Sequence, residues 1–112
     1  MMAARAKQQA SSLDVFLALA DPTRRTILDL LKEGDRTVNE LAGKFSVTRP
    51  AVSQHLRVLR DHGLVAEERV GRHRYYSLRA KALQQVSEWI AGYEAFWDTR
   101  LAKLRETLDE QP

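Results

Sequence analysis

Apolar residues recur at spacings of three and four along most of this chain, with one short interval of a different pattern. Leu13, Phe16, Leu17 and Ala20 come first. They predict a short amphipathic helix over 12–20, with Ser11 or Ser12 as its cap. Asp21 is a good N-cap for a second helix, and Pro22 fits its first position, where a missing N–H costs nothing. Ile27, Leu28, Leu30 and Leu31 are its inward stripe, and Gly34 is placed to end it in a left-handed conformation. Thr37-Val38-Asn39-Glu40 has the Thr-x-x-Glu form of a capping box, ahead of a third helix over 38–45. After a turn at Ser46-Val47, Thr48 caps a fourth helix that carries Pro50 in its first turn. That helix stops at Gly63.

The period then changes. Residues 64–70 and 73–78 read as two strands rich in β-formers, joined by the tight turn Gly71-Arg72. Beyond them Leu83, Val86, Ile90, Tyr93, Trp97, Leu101, Leu104 and Leu108 follow one another by threes and fours, and Trp89 and Phe96 widen the stripe. This predicts one long helix over 80–108, about 43 Å in length. The chain is therefore expected to be mainly α with a small β-hairpin: five helices and a two-stranded wing. The third and fourth helices form a helix-turn-helix. Residues 1–10 lack any period and read as a flexible start; 11–112 read as a single domain.

A helix as long as the last one outruns what a small globule covers, and its seam calls for a partner, most simply a second copy. The expected dimer interface is Leu13, Phe16 and Leu17 from the first helix, with Leu83, Val86, Ile90, Tyr93, Trp97, Leu101 and Leu104 from the last.

Composition narrows the function. The 112 residues are 44% hydrophobic and 29% charged, the balance of a globular chain. There is no cysteine, which excludes disulfides and thiolate metal sites. No apolar run approaches the roughly 20 residues of a membrane span, so no membrane partner is expected and the cytoplasm is the default location. The net charge of +3 is unevenly placed. Residues 36–81 hold ten Lys and Arg against four Asp and Glu, while the rest of the chain is net acidic. A basic middle points to a polyanion, with double-stranded DNA in the lead.

The fourth helix suits that partner. At 100° per residue, Val52, Leu56 and Leu59 share one narrow sector and must face the core. Pro50, Gln54, Arg57 and Asp61 fall opposite, and the small Ala51 and Ser53 flank them. Gln54 can pair two ways with adenine, and Arg57 or Arg49 with guanine or a phosphate. Thr48 and Ser53 hydroxyls suit phosphate oxygens or bases. His55 lies nearer the core side. At the hairpin, Arg72, His73 and Arg74 sit where a wing meets a phosphate backbone or a minor groove. Tyr75 and Tyr76 read as packing between wing and core.

These stretches carry a resemblance. LADPTRRTILDLL (19–31), TVNELAGKFSVTRPAVSQHLRVLRDHGLV (37–65) and RVGRHRYYSL (69–78) resemble ArsR-type winged helix-turn-helix transcriptional repressors. The likeness covers about residues 13–108. It implies a homodimer that binds a palindromic operator and blocks transcription. The contacts it implies are Thr48, Arg49, Ser53, Gln54, His55 and Arg57 in the recognition helix, with Arg72, His73 and Arg74 in the wing. It also implies that the first and last helices pair across the dimer. Many such repressors sense metals through cysteines in the third helix, which here reads VNELAGKF, or through Asp and His on the last helix, which here has no histidine. The tail WIAGYEAFWDTRLAKLRETL resembles a metal-free branch, so no metal or other cofactor is expected. The sequence names no small-molecule effector.

Two other functional classes fit the sequence less well. A protein-interaction module on the same scaffold is disfavoured by the basic wing. An enzyme finds no support: Glu67 and Glu68 alternate across a strand and cannot share a site, and there is no Gly-rich phosphate loop.

Overall fold

The structure, a computed structural model, describes residues 15–110. Leu13, the caps Ser11 and Ser12 and the start at 1–10 lie outside the described residues. Residues 15–19 are helical and form α1. Then come α2 (Pro22–Glu33), α3 (Val38–Ala42), α4 (Arg49–Asp61), β1 (Val65–Val70), β2 (His73–Leu78) and α5 (Gln84–Asp109). A 3-10 turn, Ala80–Leu83, leads into α5.

The helix limits follow from local chemistry. Asp21 accepts from the N–H groups of Thr23 and Arg24 and so starts α2. Thr37 and Thr48 do the same for α3 and α4 through the N–H groups of Glu40 and Ala51. At the far end of α4, the N–H of Gly63 bonds to Arg60 and that of Leu64 to Leu59, with Gly63 at φ 74. This is a Schellman ending, and its hydrophobic contact is Leu64 against Leu59, both fully buried.

Three expectations change. Gly34 closes α2 at φ 158, ψ 163, an extended conformation rather than a left-handed helical one. The chain runs straight from there to Arg36, whose backbone pairs in both directions with Tyr76 as an isolated bridge beside the hairpin. Helix α3 ends at Ala42, not Phe45. Phe45 and Val47 both pack against the core, and no helical face brings residues two apart to one side. The last helix is not continuous from 80. The 3-10 turn sets Ala82 and Leu83 against the core, with Arg79 hooked by its N–H to the carbonyl of Leu64, before α5 departs.

The two strands pair antiparallel from Val65 opposite Leu78 to Val70 opposite His73. Gly71 at φ 62 and Arg72 make the two-residue turn between them, and Arg72 keeps a negative φ. Glycine at the first turn position is what a type II′ hairpin requires.

The core gathers α1, α2, α3, α4 and the base of the hairpin. Ile27, Leu41, Val52, Leu56, Leu59 and Leu64 are completely sealed. Each such leucine or isoleucine contributes roughly 1.5–3 kcal/mol relative to an exposed one. No residue of α5 is buried. The radius of gyration is 19.2 Å, against about 13 Å for a compact chain of this length.

Candidate nucleic-acid interface

Helix α4 is held from behind and open in front. Val52, Leu56 and Leu59 anchor it in the core, as the wheel predicts, while Arg49, Pro50, Ser53, Gln54 and Arg57 are exposed. The N-cap bond from the Ala51 N–H to Thr48 Oγ1 is 3.3 Å long and leaves the hydroxyl at the surface. The start of α4 thus presents a polar edge at the positive end of the helix dipole, a setting that favours an anion.

The wing stands next to this edge. Ser53, Arg57, Arg60, Glu67, Arg74 and Tyr76 line one cleft of about 190 Å³ between α4 and the hairpin. A second, shallower groove touches Val38, Arg49, Pro50 and Ser53 between α3 and the start of α4. Ser53 belongs to both. Three of the sequence-predicted residues, Ser53, Arg57 and Arg74, therefore share a cleft, and Arg49 adjoins it through Ser53. Gln54 is exposed on the same helix, and Arg72 and His73 are exposed at the wing tip. The His73 ring lies edge-on to Tyr75 at 6.4 Å. His55 is placed apart from these. It is half-buried, and its charge acts on Asp21 at the start of α2.

Asp21 shows the consequence. Partial burial would raise its pKa, but the N–H groups of Arg24 and Thr23 and the charges of His55 and Arg24 outweigh that, and hold the carboxyl below its ordinary value. Tyr76 is shifted the other way. Burial, then the neighbouring carboxylate of Glu67, push its phenol up.

Three functional details escaped the sequence. Glu67 accepts from Arg60 at 2.8 Å and from the Tyr76 hydroxyl at 3.3 Å, and lies 3.5 Å from Arg74. Arg36 supplies the bridge to Tyr76 and donates to the carbonyl of Leu30. The paired arginines after Asp21-Pro22-Thr23 are engaged within the fold. Arg24 donates to the carbonyls of Ala18 and Leu17, and Arg25 to that of Leu19, so both cap the end of α1. Alternation along β1 had already separated Glu67 from Glu68; what it lacked was the arginine seven residues earlier.

The seam residues fall into two sets. Leu83 packs on the domain's own core, and Val86 is half-buried. Leu17, Ile90, Tyr93, Trp97, Leu101 and Leu104 are exposed. Phe16 meets Trp89 edge-to-face at 5.4 Å, and Trp89 continues to Tyr93, so α1 and α5 touch within one chain. Among the described residues no group of His, Asp and Glu is arranged to hold a metal ion, and no helix is long and apolar enough to cross a membrane.

A helix-turn-helix followed at once by a basic antiparallel hairpin is a winged helix-turn-helix. Residues 21–67 match the family described as "Bacterial regulatory protein, arsR family". The chain is 41% identical to the transcriptional repressor SdpR of Bacillus subtilis over 80 residues, 71% of this chain and 89% of that protein. Its fold matches the ArsR-like transcriptional regulator from Rhodococcus sp. RHA1 with a TM-score of 0.69 and 32% identity, covering 94% and 99% of the two chains. It also matches the solution structure of a homodimeric winged helix-turn-helix DNA-binding domain from Mycobacterium bovis, a possible ArsR-family regulator. That match has a TM-score of 0.64 and 31% identity, and covers 87% of each chain. The chain belongs to the ArsR family of bacterial regulatory proteins.

Proposed function

We propose that this chain is a sequence-specific transcriptional repressor that binds a palindromic operator as a homodimer. One observation carries the reading: α4 is sealed by Val52, Leu56 and Leu59 on one side and open at Ser53, Gln54 and Arg57 on the other, next to the arginines of a wing. Ser53 and Gln54 reach base edges in the major groove. Arg49, Arg57, Arg72 and Arg74 bind phosphate or guanine, with Thr48 and His73 on the backbone. His55, half-buried on the same helix, belongs to the same contact set.

The exposed apolar stripe of α5, with Phe16 and Leu17, forms the seam with a second copy. Two copies set their recognition helices in successive major grooves, about 34 Å apart. The Mycobacterium bovis relative is homodimeric, which supports a dimer.

The test is a binding titration on two duplexes of equal length, one enriched by the protein from a random pool and one of random sequence, over a range of salt. On the enriched duplex, about eight arginine–phosphate contacts across the dimer give a log–log salt slope of about −7. Changing Arg72 and Arg74 to Glu weakens binding to both duplexes, whereas Gln54→Ala lowers the preference between them more than it lowers binding to the random one. A wild-type chain without any preference at moderate salt refutes the operator reading and leaves a dimeric interaction module.

A further inference from the structure

The cleft between α4 and the wing holds an acidic side chain on a surface read as meeting phosphate. A carboxylate there repels the backbone, so it weakens binding unless it does something else. Glu67 is 21% exposed and joins three residues. Its Oε2 accepts from Arg60 of α4 at 2.8 Å and from the hydroxyl of Tyr76 of β2 at 3.3 Å. Its Oε1 lies 3.5 Å from Nε of Arg74.

We propose that Glu67 is a positioning and specificity-determining residue: it fixes the wing against the recognition helix through Arg60 and Tyr76, and it holds Arg74 in a pairing that a DNA phosphate must displace. This rests on the DNA-binding reading above. The two arginines differ in a way that assigns the roles. The Arg60 contact is short and charge-assisted, and it spans two elements, so it sets their angle. The Arg74 contact is longer, and that side chain is 62% exposed, so water and salt screen the pair and a phosphate can exchange for it. While Arg74 faces Glu67, its charge toward an arbitrary backbone is partly offset. A duplex whose bases fit α4 brings a phosphate close enough to take Arg74 over. The carboxylate thus lowers non-specific affinity more than specific affinity.

Glu67→Gln in the full chain removes the charge and keeps the shape. On the random duplex, affinity is expected to rise about threefold to tenfold, and the salt slope to steepen by about 0.9 per protomer as one more arginine reaches phosphate. On the enriched duplex, affinity is expected to change less than twofold. Adding Arg74→Gln should cancel the gain on random DNA. Without DNA, hydrogen exchange of the β1–β2 amides should quicken in Glu67→Gln while that of α2 does not.

Equal losses on both duplexes with an unchanged slope mean that Glu67 serves the fold alone, and overturn the proposal. Should Glu67→Gln not fold, Arg74→Gln and Arg72→Gln in the native background decide. The held Arg74 should matter less than Arg72 on random DNA, and equal losses there overturn the idea. A wild-type chain that enriches no duplex removes the repressor reading. Exchange in the DNA-free chain then still shows whether Glu67 holds the wing, and unchanged exchange in Glu67→Gln refutes it.

Discussion

The head and the tail of this chain use the same residue types to opposite ends. In the head, Ile27, Leu41, Leu56, Leu59 and Leu64 are fully sealed within one chain. In α5, Tyr93, Trp97, Leu101, Leu104 and Leu108 stand more than half exposed. Both stripes have the helical period, so the period alone does not say where the covering surface comes from. The head is folded around its own side chains. The tail is an amphipathic face left open by its own chain, and the excess radius of gyration measures how far it projects.

The open side should give the largest effect. Leu101→Glu places a charge in the proposed seam once per protomer, and a two-fold interface counts the loss twice. Losing roughly 1.5–3 kcal/mol of leucine burial per copy weakens the dimer by at least about 100-fold. Sedimentation should show a monomer with the far-ultraviolet spectrum of the head retained. A variant with no folded head would break the comparison, because the head would then depend on the seam.

The closed side comes next. Leu56→Ala should cost about 2–5 kcal/mol, because a fully buried site leaves a cavity. Denaturant unfolding measures this best in the Leu101→Glu background, where subunit concentration no longer enters. A cost below about 1 kcal/mol would mean that the head is looser than its burial implies.

The smallest expected effect lies at the joint between α1 and α2. Asp21→Ala should cost about 1 kcal/mol at neutral pH by removing an N-cap. The folded carboxyl is held below its ordinary value, so its stabilisation is present above the ordinary carboxylate range and disappears as pH falls through the folded pKa. Unfolding curves for wild type and variant should therefore converge below about pH 4. Curves that stay parallel down to pH 2 would show that the ionised cap is not what stabilises this joint.

Much of the fold was legible because local chemistry decides it. Asp21, Thr37 and Thr48 announce three helix starts, Gly63 one end and Gly71 the turn, each by a bond or a φ that depends on near neighbours. The sealed face of α4 followed from spacing alone. What stayed hidden was set at a distance. The early end of α3 depends on Phe45 and Val47 both reaching the core. The 3-10 turn before α5 depends on Ala82 and Leu83 doing so.

The candidate site divides the same way. The exposed faces of Ser53, Gln54 and Arg57 are properties of one helix. The grouping of Arg60, Glu67, Arg74 and Tyr76 needs two strands and a helix to meet, and no periodicity reports it. Arg24 and Arg25, whose role the sequence did not show, bond to the carbonyls of Leu17, Ala18 and Leu19.

Those two arginines have a mechanical effect. Contacts of 2.6 Å, 3.1 Å and 2.6 Å rivet α1 to the first turn of α2, so in the proposed dimer the handle that α1 offers its partner moves with the head it carries. A pair of heads mounted on rigid handles keeps one separation and one tilt. In the proposed repressor, such a pair is expected to reject half-sites that are spelled correctly but set a few base pairs too near or too far.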